Sequence, residues 1–347
     1  MKFPQSIKET DMEKNKAKRI EYIDTAKGLA ILLVVIGHVL IYDCYNFDAA
    51  ANDNSLNHWL YSFHMPLFMF LSGLLAPMAE HWCDIKRDII KRFRSLIIPF
   101  FVFGTIYSLY IGHGVEWLMH NAKYGYWYLL ALFCFYIANY ITNNILSRLK
   151  PCRIGGGISL VVVLWYCSVV ANGHIPDVIR DVAGTTWLTT LFPYFFAGAL
   201  VKRYNLYERI FSSDWLFIIG CIICWGVYLL PLEGTNVLSF ALGYIVKFSS
   251  ILIAVYVCRI ATLQKWPTLN LFIHIGKASL YIYMFHYFAL QMMMMEWLKP
   301  WLIRHQNVII TLAIVALPTA FAIVFSLVVK KVMESNEVIQ RCIFNKY

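Results

Sequence analysis

Ten apolar stretches, each close to the roughly 20 residues that an α-helix needs to cross a bilayer, recur between residues 22 and 330 with only short polar connectors between them. A backbone in hydrocarbon must satisfy its own hydrogen bonds, so runs of this length and spacing leave a helical bundle as the expected fold. The spans fall at 22–42, 57–78, 93–111, 125–141, 155–171, 186–200, 215–230, 238–258, 272–295 and 307–329. The sixth is short and carries Pro193, with Gly184 just before it, so it is expected to be kinked or partly re-entrant. Of the 347 residues 60% are hydrophobic and 14% charged, which is too apolar for a soluble domain of this length. The chain therefore reads as all-α and polytopic. It has one membrane domain at 22–330, a polar tail at 1–21 and a second tail at 331–347. The first span is too long for a signal peptide and lacks a small-residue cleavage site, so it is expected to stay in the mature protein. Nine cysteines are scattered, mostly in apolar spans; Cys221 and Cys224 form a CxxC inside a helix, which reads as structural, and no metal site is expected.

Charge in the connectors orients the bundle. Six Lys or Arg precede the first span, and alternate connectors then hold five (79–94), three (142–154), three (201–213) and two (259–271), with four after the last span (330–347). The intervening connectors hold only Lys123, Arg180, Lys299 and Arg304. Twenty-three cations thus fall on one side and four on the other, while Lys27, Lys247 and Lys277 lie inside predicted helices. Positive charge gathers on the cytoplasmic side, so both termini are expected there. The net charge of +10 accordingly reads as orientation and excludes a nucleic-acid role.

The first span contains KGLAILLVVIGH, with Lys27 and His38 at its ends. Eleven residues turn a helix through roughly 1100°, about three turns, so the two side chains share one face about 16–17 Å apart along the axis. Asp24, three residues before Lys27, can pair with it. Lys27 is either a snorkelling interface cation or a ligand-binding one. A histidine facing lipid is costly, so His38 is expected to face the bundle interior, as a packed residue or as a working group. The second span, FHMPLFMFLSG, brings His64 to a similar depth; Pro66 frees a backbone carbonyl there, and Ser72 with Gly73 offers a patch where another helix can approach.

Lys27, ten intervening residues and His38, preceded by IEYID, resemble the lysine-or-arginine, ten residues, histidine signature of the acyltransferase-3 family, especially its fucose-O-acetylase-like branch. FHMPLFMFLSG is similar to that family's second-helix motif, and KRFRSLIIPFFVF (91–103), YWYLLALF (126–133), FPYFFAGAL (192–200) and SLYIYMFH (279–286) resemble its later landmarks in order. The resemblance implies transfer of an acyl group, most often acetyl from cytoplasmic acetyl-CoA, to a sugar hydroxyl on a glycan or lipid-linked precursor at a bacterial inner membrane. The soluble SGNH-type domain of some members is absent from this sequence, so the membrane domain is expected to finish transfer itself or to hand on to a separate partner. His38 would be the general base, since an imidazole accepts and returns a proton near neutral pH. Lys27, Arg92 and Arg94 would meet CoA phosphates; for Arg92 and Arg94, ordinary cytoplasmic charge is the other reading. Ser279, Tyr283 and His286, at offsets of four and three, form a polar stripe that lines the same cavity or stabilises the oxyanion, or else packs. Lys247, near the centre of its span, is a functional candidate without a named partner.

The competing class is a ten-helix secondary transporter or glycan flippase. All 20 acidic residues lie in connectors or near helix ends, whereas proton-coupled carriers place carboxylates mid-membrane, and no inverted repeat is evident. The same lack of deep carboxylates leaves open what orients His38, because Asp43 is five residues away and off its face; Asp53 in the first external loop is one candidate.

Overall fold

The computed structural model describes residues 6–40, 55–79, 81–120, 122–148, 154–228, 237–293, 300, 304 and 308–337. Asp43 and Asp53 lie outside them. Among the described residues the protein is helical and contains no strand. In chain order the helices are α1 (Ser6–His38), α2 (Ser55–Leu74), α3 (Trp82–Arg92), α4 (Ile98–Tyr110), α5 (Trp127–Arg148), α6 (Ile154–His174), α7 (Asp177–Ala183), α8 (Thr185–Arg203), α9 (Tyr207–Phe211), α10 (Asp214–Tyr228), α11 (Val237–Leu263), α12 (Leu269–Lys277), α13 (Ser279–Met293) and α14 (Val308–Ser335). Each of the ten apolar stretches is thus helical over most of its length. Among the described residues four helices or parts of them, Trp127–Arg148, Ile154–His174, Leu238–Leu263 and Ala313–Ser335, are long and apolar enough to cross a membrane.

Two departures from the sequence reading have physical causes. The stretch at 272–295 is broken at Ala278, which separates α12 from α13. Gly276 lies just before the break, and its missing Cβ lets the α12 backbone rest on α1, where a side chain would overlap the Asp24 carbonyl oxygen. The stretch with Pro193 belongs to a helix longer than the expected span. Helix α8 runs unbroken for 19 residues, about 28 Å at 1.5 Å per residue. The left-handed Gly184 (φ 64°) precedes it and absorbs the change of direction from α7.

Contacts divide the chain into two compact units. The first comprises Met1–Phe68, Tyr207–Tyr283 and Met293–Ile323. Here α1 packs on α12 and α11, and α10 packs on α11. Gly28 and Gly276 are where α1 and α12 cross: a Cβ on Gly28 would overlap the Phe272 carbonyl oxygen. Close backbone approach through small residues is how helices associate where no water drives them together. From Tyr22 to Leu40 no residue of α1 is exposed.

The second unit comprises Met69–Leu206, Met284–Met292 and Val324–Tyr347. The end of α2 meets α8 by the same device, because Cβ atoms at Gly73 and Gly198 would overlap the carbonyl oxygens of Phe195 and Phe70. The small-residue patch expected at Ser72–Gly73 is therefore a helix crossing. Polar side chains mark the two ends of this unit. At one end Lys202 donates to the Ala76 carbonyl, Asn139 to the Pro77 carbonyl (3.0 Å) and Arg203 to Asn143 Oδ1 (3.2 Å), so the lysine- and arginine-rich connectors gather together. At the other end Lys123 Nζ donates to the Asp181 carbonyl (2.7 Å), which joins the connectors that carry Lys123 and Arg180.

Candidate functional site

In the first unit, α1 positions Asp24, Lys27 and His38. Lys27 Nζ lies 3.2 Å from Asp24 Oδ1, and the two side chains are 25% and 8% exposed. The pair forms where α12 presses on α1 through Gly28 and Gly276, against the Asp24 backbone carbonyl. A carboxylate so nearly buried is tolerable because its partner neutralises it. His38 is half-buried in the last turn of the same unbroken helix, which preserves the shared face and the spacing of about 16–17 Å. His64 of α2 is 1% exposed. Two residues on, Pro66 has no N–H to give to the carbonyl one turn earlier in the helix. Lys247 of α11 is half-buried with its ammonium 5.7 Å from the Tyr244 ring centroid. Ser279 opens α13 half-buried, and Tyr283 lies buried one turn further on.

In the second unit Ser72 Oγ is 3.0 Å from the buried Tyr128 hydroxyl. His286 is fully buried, its ring 4.1 Å from that of Tyr287. Arg92 and Arg94 differ in setting. The Arg92 Nε donates to Asp88 Oδ2 (2.7 Å), its guanidinium carbon stands 3.4 Å over the Tyr136 ring, and the Tyr140 hydroxyl donates to the same Asp88. Burial alone would lower the Arg92 pKa, but Tyr136 and the Asp88 carboxylate outweigh it and hold the group above its ordinary range, firmly charged. Arg94 is exposed, one position into the π-helical segment Phe93–Ile97 that links α3 to α4. Such π-turns shift the facing of the residues after them and recur at functional sites.

Sequence reasoning missed three features of these surroundings. Gly28 and Gly276 look unremarkable in a membrane helix, yet they set the crossing that supports Lys27. Asp88 belongs to an amphipathic connector helix, and only folding brings it to Tyr140 and Arg92. Lys123 read as a stray external cation, but it is 1% exposed and also donates to the His120 carbonyl (2.8 Å). Burial lowers its pKa, and Asp181 partly restores it. Among the described residues no cluster of three His, Cys, Asp or Glu side chains is placed to hold a metal ion.

An unbroken buried helix with a lysine at one end and a histidine at the other, in an all-helical apolar chain, agrees with the family comparison. The model described as an acyltransferase domain matches residues 20–329. The chain belongs to the acyltransferase-3 family of membrane proteins. Over 83 residues it is 36% identical to the nodulation protein NolL of Mesorhizobium japonicum, covering 24% of this chain and 22% of that one. It is 39% identical over 83 residues to the NolL of Sinorhizobium fredii, covering 22% and 21%. The chain thus spans about a fifth of the length of these curated relatives. No solved structure matches it.

Proposed function

We propose that the protein is a multi-pass O-acyltransferase of a bacterial inner membrane. It would take an acyl group, most often acetyl, from cytoplasmic acyl-CoA and pass it to a hydroxyl of a cell-surface or lipid-linked glycan. In this reading ten helices cross the bilayer and both termini are cytoplasmic. The observation that carries it is α1. In a family of acyltransferases, a segment with no exposed residue from Tyr22 onward carries an ion-paired lysine and, three turns deeper, a half-buried imidazole.

The chemistry follows from that pairing. The His38 imidazole takes the proton of the acceptor hydroxyl as its oxygen attacks the thioester carbonyl carbon. The C–O bond forms, the tetrahedral oxyanion collapses with loss of the C–S bond, and the imidazolium returns its proton to the departing thiolate. His64 and His286 are the further candidates for proton handling or for a hydrogen bond to the oxyanion, with Ser72, Ser279 and Tyr283 as hydroxyl donors. Lys27 and Arg94 are the candidates for the CoA phosphates. Arg92 joins them only by leaving Asp88, so its part is to hold the start of the π-helical segment and thereby Arg94. Pantetheine can span the distance from Lys27 to His38, about 16–17 Å along the helix. Lys247 has no step in this scheme.

The test is mass analysis of surface glycans from cells that carry the protein, lack it, or carry His38→Ala. Acyl-bearing repeats in the first alone support the reading, and acylation that persists in His38→Ala ends it.

A further inference from the structure

The segment between α4 and α5 is built with more constraint than a surface connector needs. Lys123, Tyr124 and Gly125 adopt left-handed φ angles of 48°, 46° and 93° in succession. A non-glycine residue held there is strained, and strain of this kind persists only where the surroundings impose it. Three contacts impose it. The buried Lys123 ammonium ties His120 to Asp181 of α7. Gly125 is pressed against Tyr287, where a Cβ would overlap the phenol ring. The Tyr126 hydroxyl donates to the Met284 carbonyl (2.7 Å). Met284 and Tyr287 flank His286, so the strained turn is fastened to the turn of α13 that bears this histidine. Trp117, wholly buried against Phe100 and under Gly104, anchors the same segment to α4.

The held segment presents aromatic rings beside polar heterocycles. Tyr124, half-buried, has the ring of His120 at 4.9 Å and that of His113 at 5.6 Å, and both histidines are exposed. Three residues on, Trp127 stacks on Trp187 of α8 with centroids 4.3 Å apart and planes 15° from parallel, and both remain partly accessible. An anchoring belt of interfacial aromatics needs neither a strained turn nor a buried lysine to place its rings. A pyranose does need placed rings: one face of the sugar is a patch of C–H bonds that lies on an aromatic ring, and its rim of hydroxyls seeks donors and acceptors such as imidazole nitrogens.

We propose that Tyr124, His113, His120 and the Trp127–Trp187 pair form a pyranose-binding platform that receives the acceptor glycan beside the turn of α13 that bears His286. This inference rests on the acyltransferase reading for its ligand and on the outward placement of this connector. The platform is a binding site, and none of its five residues exchanges a proton in the transfer.

The full chain in lipid nanodiscs, carrying His38→Ala so that nothing turns over, is titrated with neutral tetrasaccharides of hexose, deoxyhexose and N-acetylhexosamine type and observed by saturation-transfer difference NMR. Saturation of sugar C–H protons is expected for at least one type, with affinity reduced about tenfold by Tyr124→Ala and by Trp187→Ala, about 1.4 kcal/mol. Should Trp187→Ala fail to fold, His120→Ala, at an exposed position, takes its place with a smaller expected loss. In the active protein Tyr124→Ala should raise the acceptor KM about tenfold and leave the acyl-CoA KM unchanged. No saturation by any of the three types, or variants that lower thermal stability while sugar binding and KM stay as in the parent, would overturn the platform. Failure of the underlying reading looks different: glycan acylation would persist in His38→Ala cells while tetrasaccharides still bound.

Discussion

Helices α1 and α6 invert what burial means in a soluble protein. Helix α6 is apolar over most of its length, yet only Gly157 and Val161 are buried, and Ile158, Val162, Val163 and Tyr166 stand half exposed or more. Helix α1 carries Asp24, Lys27 and His38 and has no exposed residue from Tyr22 to its end. In water the apolar residues would be inside. In a bilayer the hydrocarbon takes them, and the protein interior becomes the place where a charge can find a partner. The helix least suited to lipid is therefore the one wrapped in protein, and that is where chemistry is affordable.

This contrast can be broken experimentally, beginning with packing. Gly28→Leu forces a side chain into the α12 backbone and should leave almost no folded protein, because overlap with backbone exceeds the roughly 1–3 kcal/mol of ordinary overpacking. Gly155→Leu on α6, where a Cβ meets nothing within 4 Å, should leave yield unchanged. Fluorescence-detected size-exclusion of both variants reads the difference, and equal yields would remove the crossing from the account.

Next in size is activity. His38→Ala should lower acyl transfer at least about a hundredfold, the lower end for loss of a general base, with a normal size-exclusion profile. Cys167→Ala on the exposed face of α6 should leave the rate within about twofold, since nothing at that position touches the chemistry.

A charge exchanged between the two environments sharpens the comparison further. Val162→Asp, 51% exposed on α6, should cost about 3 kcal/mol of insertion free energy, seen as reduced membrane integration in a glycosylation-reporter assay. Asp24 is tolerated in α1 because Lys27 answers it. Insertion of Val162→Asp at the parent level would mean that α6 does not face lipid.

The smallest effect expected is on the ion pair itself. Lys27→Met should weaken acyl-CoA binding about tenfold by thermal-shift titration and lower stability by about 1–3 kcal/mol, because Asp24 is left buried without its cation. Adding Asp24→Asn should recover the stability but not the affinity. Recovery of both would make the pair purely structural.

Much of this was legible in the chain. Hydrophobic runs of bilayer length fixed where the helices lie, because apolar length is a local property. The Asp24–Lys27 pair and the common face of Lys27 and His38 needed only the helical period, and Ser72–Gly73 was recognisable as an approach point. Tertiary structure decided the rest. It decided that Arg92 is spoken for by Asp88 and Tyr136 while Arg94 is exposed, that the ninth stretch breaks at Ala278, and that Lys123 is a buried clasp holding a strained turn against α13. These depend on which backbone reaches which side chain across long separations in sequence. Hydropathy carries no record of that, since it states how a residue prefers to be solvated and says nothing of what neighbour folding supplies in place of solvent.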